Sequence, residues 1–110
     1  MKKEIQINEL VYSLYITPRY LGCRYICYAL ELCMQNEDYL LRIWKWLYPE
    51  IAEKFNTSRS NVEHNIRTAI IAGWKKGGKE RLQELCTYKL TSVPTNNEFL
   101  CILVNYLRSQ

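Results

Sequence analysis

The sequence is short of the residues from which most enzymes and metal centres are built. Among 110 residues Asp38 is the only aspartate and His64 the only histidine. His64 has no sequence partner that suggests a nucleophile–base–acid triad, and nothing marks two of the glutamates as a working carboxylate pair. A glycine-rich phosphate loop is also missing. The chain is therefore read as a non-enzyme with no catalytic residue and no cofactor. The cysteines (Cys23, Cys27, Cys33, Cys86 and Cys101) include no CxxC pair. Cys23 and Cys27 stand one helical turn apart, but zinc needs closely spaced ligand pairs and His64 lies in another segment. Core packing of the thiols is the expectation, with no metal. Their odd number, and the lack of an apolar stretch after Lys2-Lys3 that would make a secretory signal, point to a reducing cytoplasm. No apolar run approaches the roughly 20 residues that cross a bilayer, so no membrane partner is expected. Internal repeats and low-complexity segments are absent as well.

What the chain does have is helical patterning. Hydrophobic residues make up 48% of it, enough for a real core in a single domain spanning residues 1–110. Ile5, Ile7, Leu10, Val11 and Leu14 predict a first helix over Glu4–Tyr15. Thr17 as N-cap and Pro18 at the first helical position predict a second, running to about Met34. Its apolar positions are too many for one stripe, which makes it central. Asn36-Glu37-Asp38 has helix-start chemistry and predicts a third helix to Leu47. The aromatics Trp44, Trp46 and Tyr48 resemble a base-stacking platform, but beside leucines at helical spacing they read better as core. A short helix is expected over Lys79–Cys86, a β-prone loop over Thr87–Val93, and a last helix from Pro94-Thr95-Asn96 to Arg108.

Between the third helix and Lys79 the pattern is more specific. Pro49 interrupts and restarts the chain as a short helix to Phe55, with Ile51, Ala52 and Phe55 inward. Asn56-Thr57-Ser58 makes a tight turn, in which Asn56 is the residue best able to adopt a left-handed conformation. Thr57, Ser58 or Ser60 can cap the helix that follows, and Ser60 with Glu63 has capping-box spacing. This is a helix-turn-helix over about residues 49–74, whose second helix, about 59–73, would enter a DNA major groove. At 100° per residue Val62, Ile66, Ala69, Ile70 and Gly73 fall on one side. Ser60, Asn61, His64, Arg67 and Thr68 fall on the other, with Glu63 at the boundary. Those groups suit base edges: Asn pairs with adenine, Arg with guanine, and Glu accepts from cytosine.

Charge supports the same segment. The net charge is +4, yet residues 54–81 hold seven basic side chains against two acidic ones. A solvated basic face and an anion-docking face fit that count equally well. Lys75 and Lys76 suit a helix C-terminus and lie within reach of phosphates.

The run LYPEIAEKFNTSRSNVEHNIRTAIIAGWKKG (Leu47–Gly77), with PTNNEFLCILVNYLR (Pro94–Arg108), resembles the C-terminal effector domain of the stage-zero sporulation response regulator. The resemblance covers essentially the whole chain. It implies an all-α fold of about six helices around a central helix-turn-helix, of the wing-free response-regulator effector type. It also implies binding to short double-stranded DNA boxes, often as a tandem homodimer, and action on RNA polymerase through a sigma factor. In that family the recognition helix presents Ser-Arg-Val-Glu-Arg with a further Arg one turn on. Here the run is Ser60-Asn61-Val62-Glu63-His64 with Arg67 kept, so Glu63, Arg67, Thr57 and the turn carry over. Asn61 and His64 stand where two DNA-touching arginines are expected, and Arg59 adds a charge nearby. The preferred box should differ accordingly.

The implied base-reading set is Asn61, Glu63, His64 and Arg67. Thr57, Ser58, Arg59, Ser60, Thr68, Lys75 and Lys76 are the candidates for phosphate contact and positioning. The family's regulator also carries a receiver domain with an acidic phosphorylation pocket, which one aspartate cannot supply here. A stand-alone homologue and an excised piece both fit that absence. The rival reading is a protein-interaction module that keeps the fold with weak or altered DNA binding.

Overall fold

Apolar side chains recur every three or four residues along most of the chain, and helices follow from that spacing. The computed structural model describes residues 2–110. It is all-helical, and among the described residues six α-helices form the fold: α1 (Lys2–Tyr12), α2 (Leu21–Gln35), α3 (Tyr48–Lys54), α4 (Arg59–Gly73), α5 (Lys79–Leu85) and α6 (Asn96–Arg108). Helix α2 is the central one. Tyr25, Ile26, Ala29, Leu30 and Cys33 are buried along it, and it packs against α1, α4 and α6. Cys23, Cys27 and Cys33 are buried, whereas Cys86 and Cys101 are half-buried. Burial pushes the Cys33 thiol up to about 12, as removal from water disfavours the thiolate.

The α2–α4 contact rests on Gly22. A Cβ there would lie 2.7 Å from the carbonyl carbon of Asn65 and 2.9 Å from the Cβ of Ala69, and closer still to the Asn65 oxygen. A residue without a side chain is what lets the two backbones meet. The C-terminal part of the fold is tied in by Asn96, the one buried polar side chain among the described residues. Its Nδ2 donates to Tyr48 Oη at 3.0 Å and to the Glu63 carbonyl at 3.1 Å, joining α6 to α3 and α4. Burial raises the Tyr48 pKa, an effect partly opposed by the bond from Asn96.

Two expected elements differ. The second helix does not start at Pro18. Thr17–Tyr20 is a turn closed by Tyr20 N–H to the Thr17 carbonyl, and Tyr20 is extended (φ −93°, ψ 130°) before α2 begins. The close approach at Gly22 sets the start of α2, overriding a good local cap.

The expected helix over Glu37–Leu47 is also broken. A 3-10 turn (Glu37–Leu41), capped by Asn36 Oδ1 on Asp38 N–H, ends at extended Arg42 (φ −148°, ψ 76°). A wide turn over Ile43–Leu47 then runs directly into α3, so Pro49 sits within the first turn and interrupts nothing. With that break, Trp44 and Trp46 are not core residues. They are 45% and 42% exposed, and Leu47 is the buried member of the turn. Glu37 instead pairs with Arg108 at 3.1 Å, holding the 3-10 turn to the end of α6.

Candidate nucleic-acid interface

Helix α3 ends in a Schellman closure. Thr57 N–H donates to the Ala52 carbonyl at 2.9 Å and Asn56 N–H to the Glu53 carbonyl at 3.3 Å. The residue that must turn left-handed is Asn56, with φ +53°, the conformation expected of it. Ser58 is extended and caps α4, its Oγ accepting from Asn61 N–H at 3.1 Å. Glu63 is paired with Arg67 at 3.7 Å, and the N-terminal cap is supplied by Ser58. Together α3, this turn and α4 make the helix-turn-helix.

The buried side of α4 is Val62, Ile66, Ala69, Ile70 and Gly73, the set the periodicity predicts. Ser60, His64, Arg67 and Thr68 are exposed on the opposite side. At 100° per residue His64 lies at its crown. Half-buried Ile71 shares this side, an apolar group suited to a thymine methyl and one that a search for polar residues passes over. Arg59 and Glu63 lie on one flank.

Asn61 lies on the other flank and is half-buried. Its Nδ2 donates to Thr57 Oγ1 at 2.7 Å. Asn65 Nδ2 donates both to its Oδ1 at 2.9 Å and to its carbonyl at 2.8 Å. Thr57, Asn61 and Asn65 thus form a ladder that locks the Asn61 carboxamide, leaving one N–H and one lone pair for a base edge. Asn65 has no place in the sequence-derived set, although asparagines spaced four apart are the signal for such a ladder.

Arg59 and Lys76 lie apart. The α4 helix is 15 residues long, about 22 Å at the usual rise, so they occupy opposite ends. The Arg59 guanidinium stacks on the Trp44 ring at 5.4 Å. Lys76 Nζ donates to Tyr20 Oη at 2.8 Å and lies 5.0 Å from that ring. Beyond Gly73 the chain turns through Trp74–Gly78, where Gly77 has φ +128°. Lys75 is exposed there.

A Schellman turn, a serine-capped helix and an exposed side of short polar groups and arginine give α3 and α4 the shape of a helix-turn-helix. In a comparison with protein families, residues 7–107 match the family described as sporulation initiation factor Spo0A C terminal. The chain belongs to that family. Membership in the Spo0A C-terminal family makes it a DNA-binding domain of sporulation transcription regulation, and the family is not a catalytic one. No helix of the described residues is long and apolar enough to cross a membrane.

Proposed function

We propose that this chain binds double-stranded DNA sequence-specifically, with α4 as the recognition helix in the major groove, and regulates transcription of sporulation-type genes. The observation that carries the reading is the exposed side of α4, centred on His64 and set by the left-handed turn at Asn56. Glu63, His64 and Arg67, with the remaining valences of Asn61, read base edges. Thr57, Ser58, Arg59, Ser60 and Thr68 hold phosphates around the N-terminal half of α4, and Lys75 and Lys76 do so beyond its C-terminus. The Glu63–Arg67 pair is 3.7 Å long with both side chains about half exposed. Such a pair is worth under about 1 kcal/mol, so Arg67 exchanges it for a guanine at little cost. Contact with an RNA polymerase sigma factor and dimerisation on tandem boxes are proposed on the family likeness alone.

The test is selection of preferred duplexes from a random pool, followed by a salt titration of the winners. Phosphate-driven binding gives a steep fall of affinity with salt, about 0.9 log units per phosphate contact for each tenfold rise in salt. Recovery of no common sequence, with weak binding flat across salt, would instead favour the protein-interaction module.

A further inference from the structure

The turn Ile43–Leu47 and Arg42 before it carry groups that the exposed side of α4 does not use. Trp44 and Trp46 are 45% and 42% exposed. Among the described residues neither indole N–H has a protein acceptor, and neither Arg42 nor Lys45 is in an ion pair; the pairs present are Arg67–Glu63, Arg81–Glu84 and Arg108–Glu37. No acid occurs between Asp38 and Glu50 in the sequence, so the turn itself carries only positive charge.

This turn adjoins α4. Trp44 lies under the guanidinium of Arg59, the first residue of α4, at 5.4 Å, and packs edge-on against Tyr48 at 6.0 Å. It also borders a groove of about 470 Å³ shared with Glu63, Arg67 and Ile71. Arg59, Glu63 and Arg67 are spaced four apart, so Trp44 flanks one continuous stripe of α4. A cation at a helix N-terminus opposes the macrodipole. The indole offsets that cost and holds the guanidinium by its face, leaving the N–H edge free to donate.

We propose that the Arg42–Trp46 turn is a second duplex-DNA contact. Arg42, Lys45 and the Trp44-positioned Arg59 grip the phosphate backbone beside the groove that α4 occupies. The proposal rests on the DNA-binding reading of α4. Duplex DNA is the occupant that the unpaired cations, free indole donors and continuity with the α4 stripe all fit.

The experiment compares the whole chain with Arg42→Ala/Lys45→Ala on a selected duplex, from about 50 to about 200 mM salt. The variant should melt as the parent does and keep the parent's ranking of duplex sequences. Its log affinity against log salt should be flatter by about 1.8, the loss of two phosphate contacts. Trp44→Leu and Arg59→Ala should weaken binding by similar factors, and the double variant by no more than either. In the unmodified protein, saturating duplex should shield the exposed indoles from iodide quenching. An unchanged slope together with unchanged iodide quenching overturns the second contact while leaving α4 as the reader. Absence of salt-dependent duplex binding by the parent overturns the α4 reading itself.

Discussion

Gly22→Ala tests whether the approach of α2 to α4 sets the position of the recognition helix. In an exposed helix the change would stabilise by about 1 kcal/mol, because alanine is the better helix former. Here the new methyl would lie 2.7 Å from the Asn65 carbonyl carbon and 2.9 Å from Ala69 Cβ, where ordinary contacts are 3.5–4.0 Å between carbons. The obstacle is the backbone of α4, which cannot rotate away as a side chain can, so the helices must separate by about 1 Å. Overpacking of this kind costs about 1–3 kcal/mol, and a backbone obstacle places it at the upper end. Subtracting the propensity gain leaves a net loss of about 2 kcal/mol, or about 8 °C in Tm for a chain of this size. Urea denaturation should show a lower midpoint with an unchanged slope. Moving α4 should also weaken a selected duplex more than random DNA. A variant as stable as the parent, or about 1 kcal/mol more stable, would refute the close approach.

Further outcomes are expected. Asn96→Ala leaves the buried Tyr48 hydroxyl and the Glu63 carbonyl without their partner and should cost about 2–4 kcal/mol. Adding Tyr48→Phe should recover part of that loss in a double-mutant cycle, and strict additivity would contradict the pairing. Gly77→Ala forces a side chain into φ +128° beside the Tyr15 ring and should cost about 1–3 kcal/mol in the same denaturation assay. Stability against pH should be insensitive to Tyr48 below pH 10. Burial raises the folded-state pKa of Tyr48 above the ordinary tyrosine value of 10.0. The unfolded chain therefore loses that proton first, and stability falls as pH rises through the interval between the two pKa values. Tyr48→Phe should flatten the alkaline fall measured by denaturation above pH 10, and an unaltered profile would count against the burial.

Much of the candidate interface was legible because local chemistry and tertiary structure agree there. Asn56 is the residue in its turn most tolerant of a left-handed conformation, and the structure uses it so. The periodicity of Val62, Ile66, Ala69 and Ile70 fixed the rotation of α4. The losses came where a tertiary contact overrode a local signal. Thr17-Pro18 is a good helix start, yet the seat of Gly22 on α4 moves the start to Leu21. Trp44 and Trp46 look like core only if residues 37–47 form one helix, and the extended backbone at Arg42 removes that premise. Asn96 and Asn65 bond over distances or to partners that a helical projection does not contain: Asn96 reaches Tyr48 48 positions away. Asn61, expected as a free base reader, is partly committed to Thr57 and Asn65. The sequence preference conferred at that position should accordingly be narrower than that of Arg67.

The most direct test of α4 as a sequence reader is Arg67→Ala, measured on a selected duplex and on random duplex at the same salt. Arg67 is exposed and its pairing with Glu63 is weak, so the fold should be unaffected. Loss of a bidentate base contact worth about 1–3 kcal/mol should weaken the selected duplex about 5- to 150-fold and leave random duplex nearly unchanged. Equal weakening on both would mean that Arg67 meets only phosphate, and no weakening on either would contradict the placement of α4 in the groove.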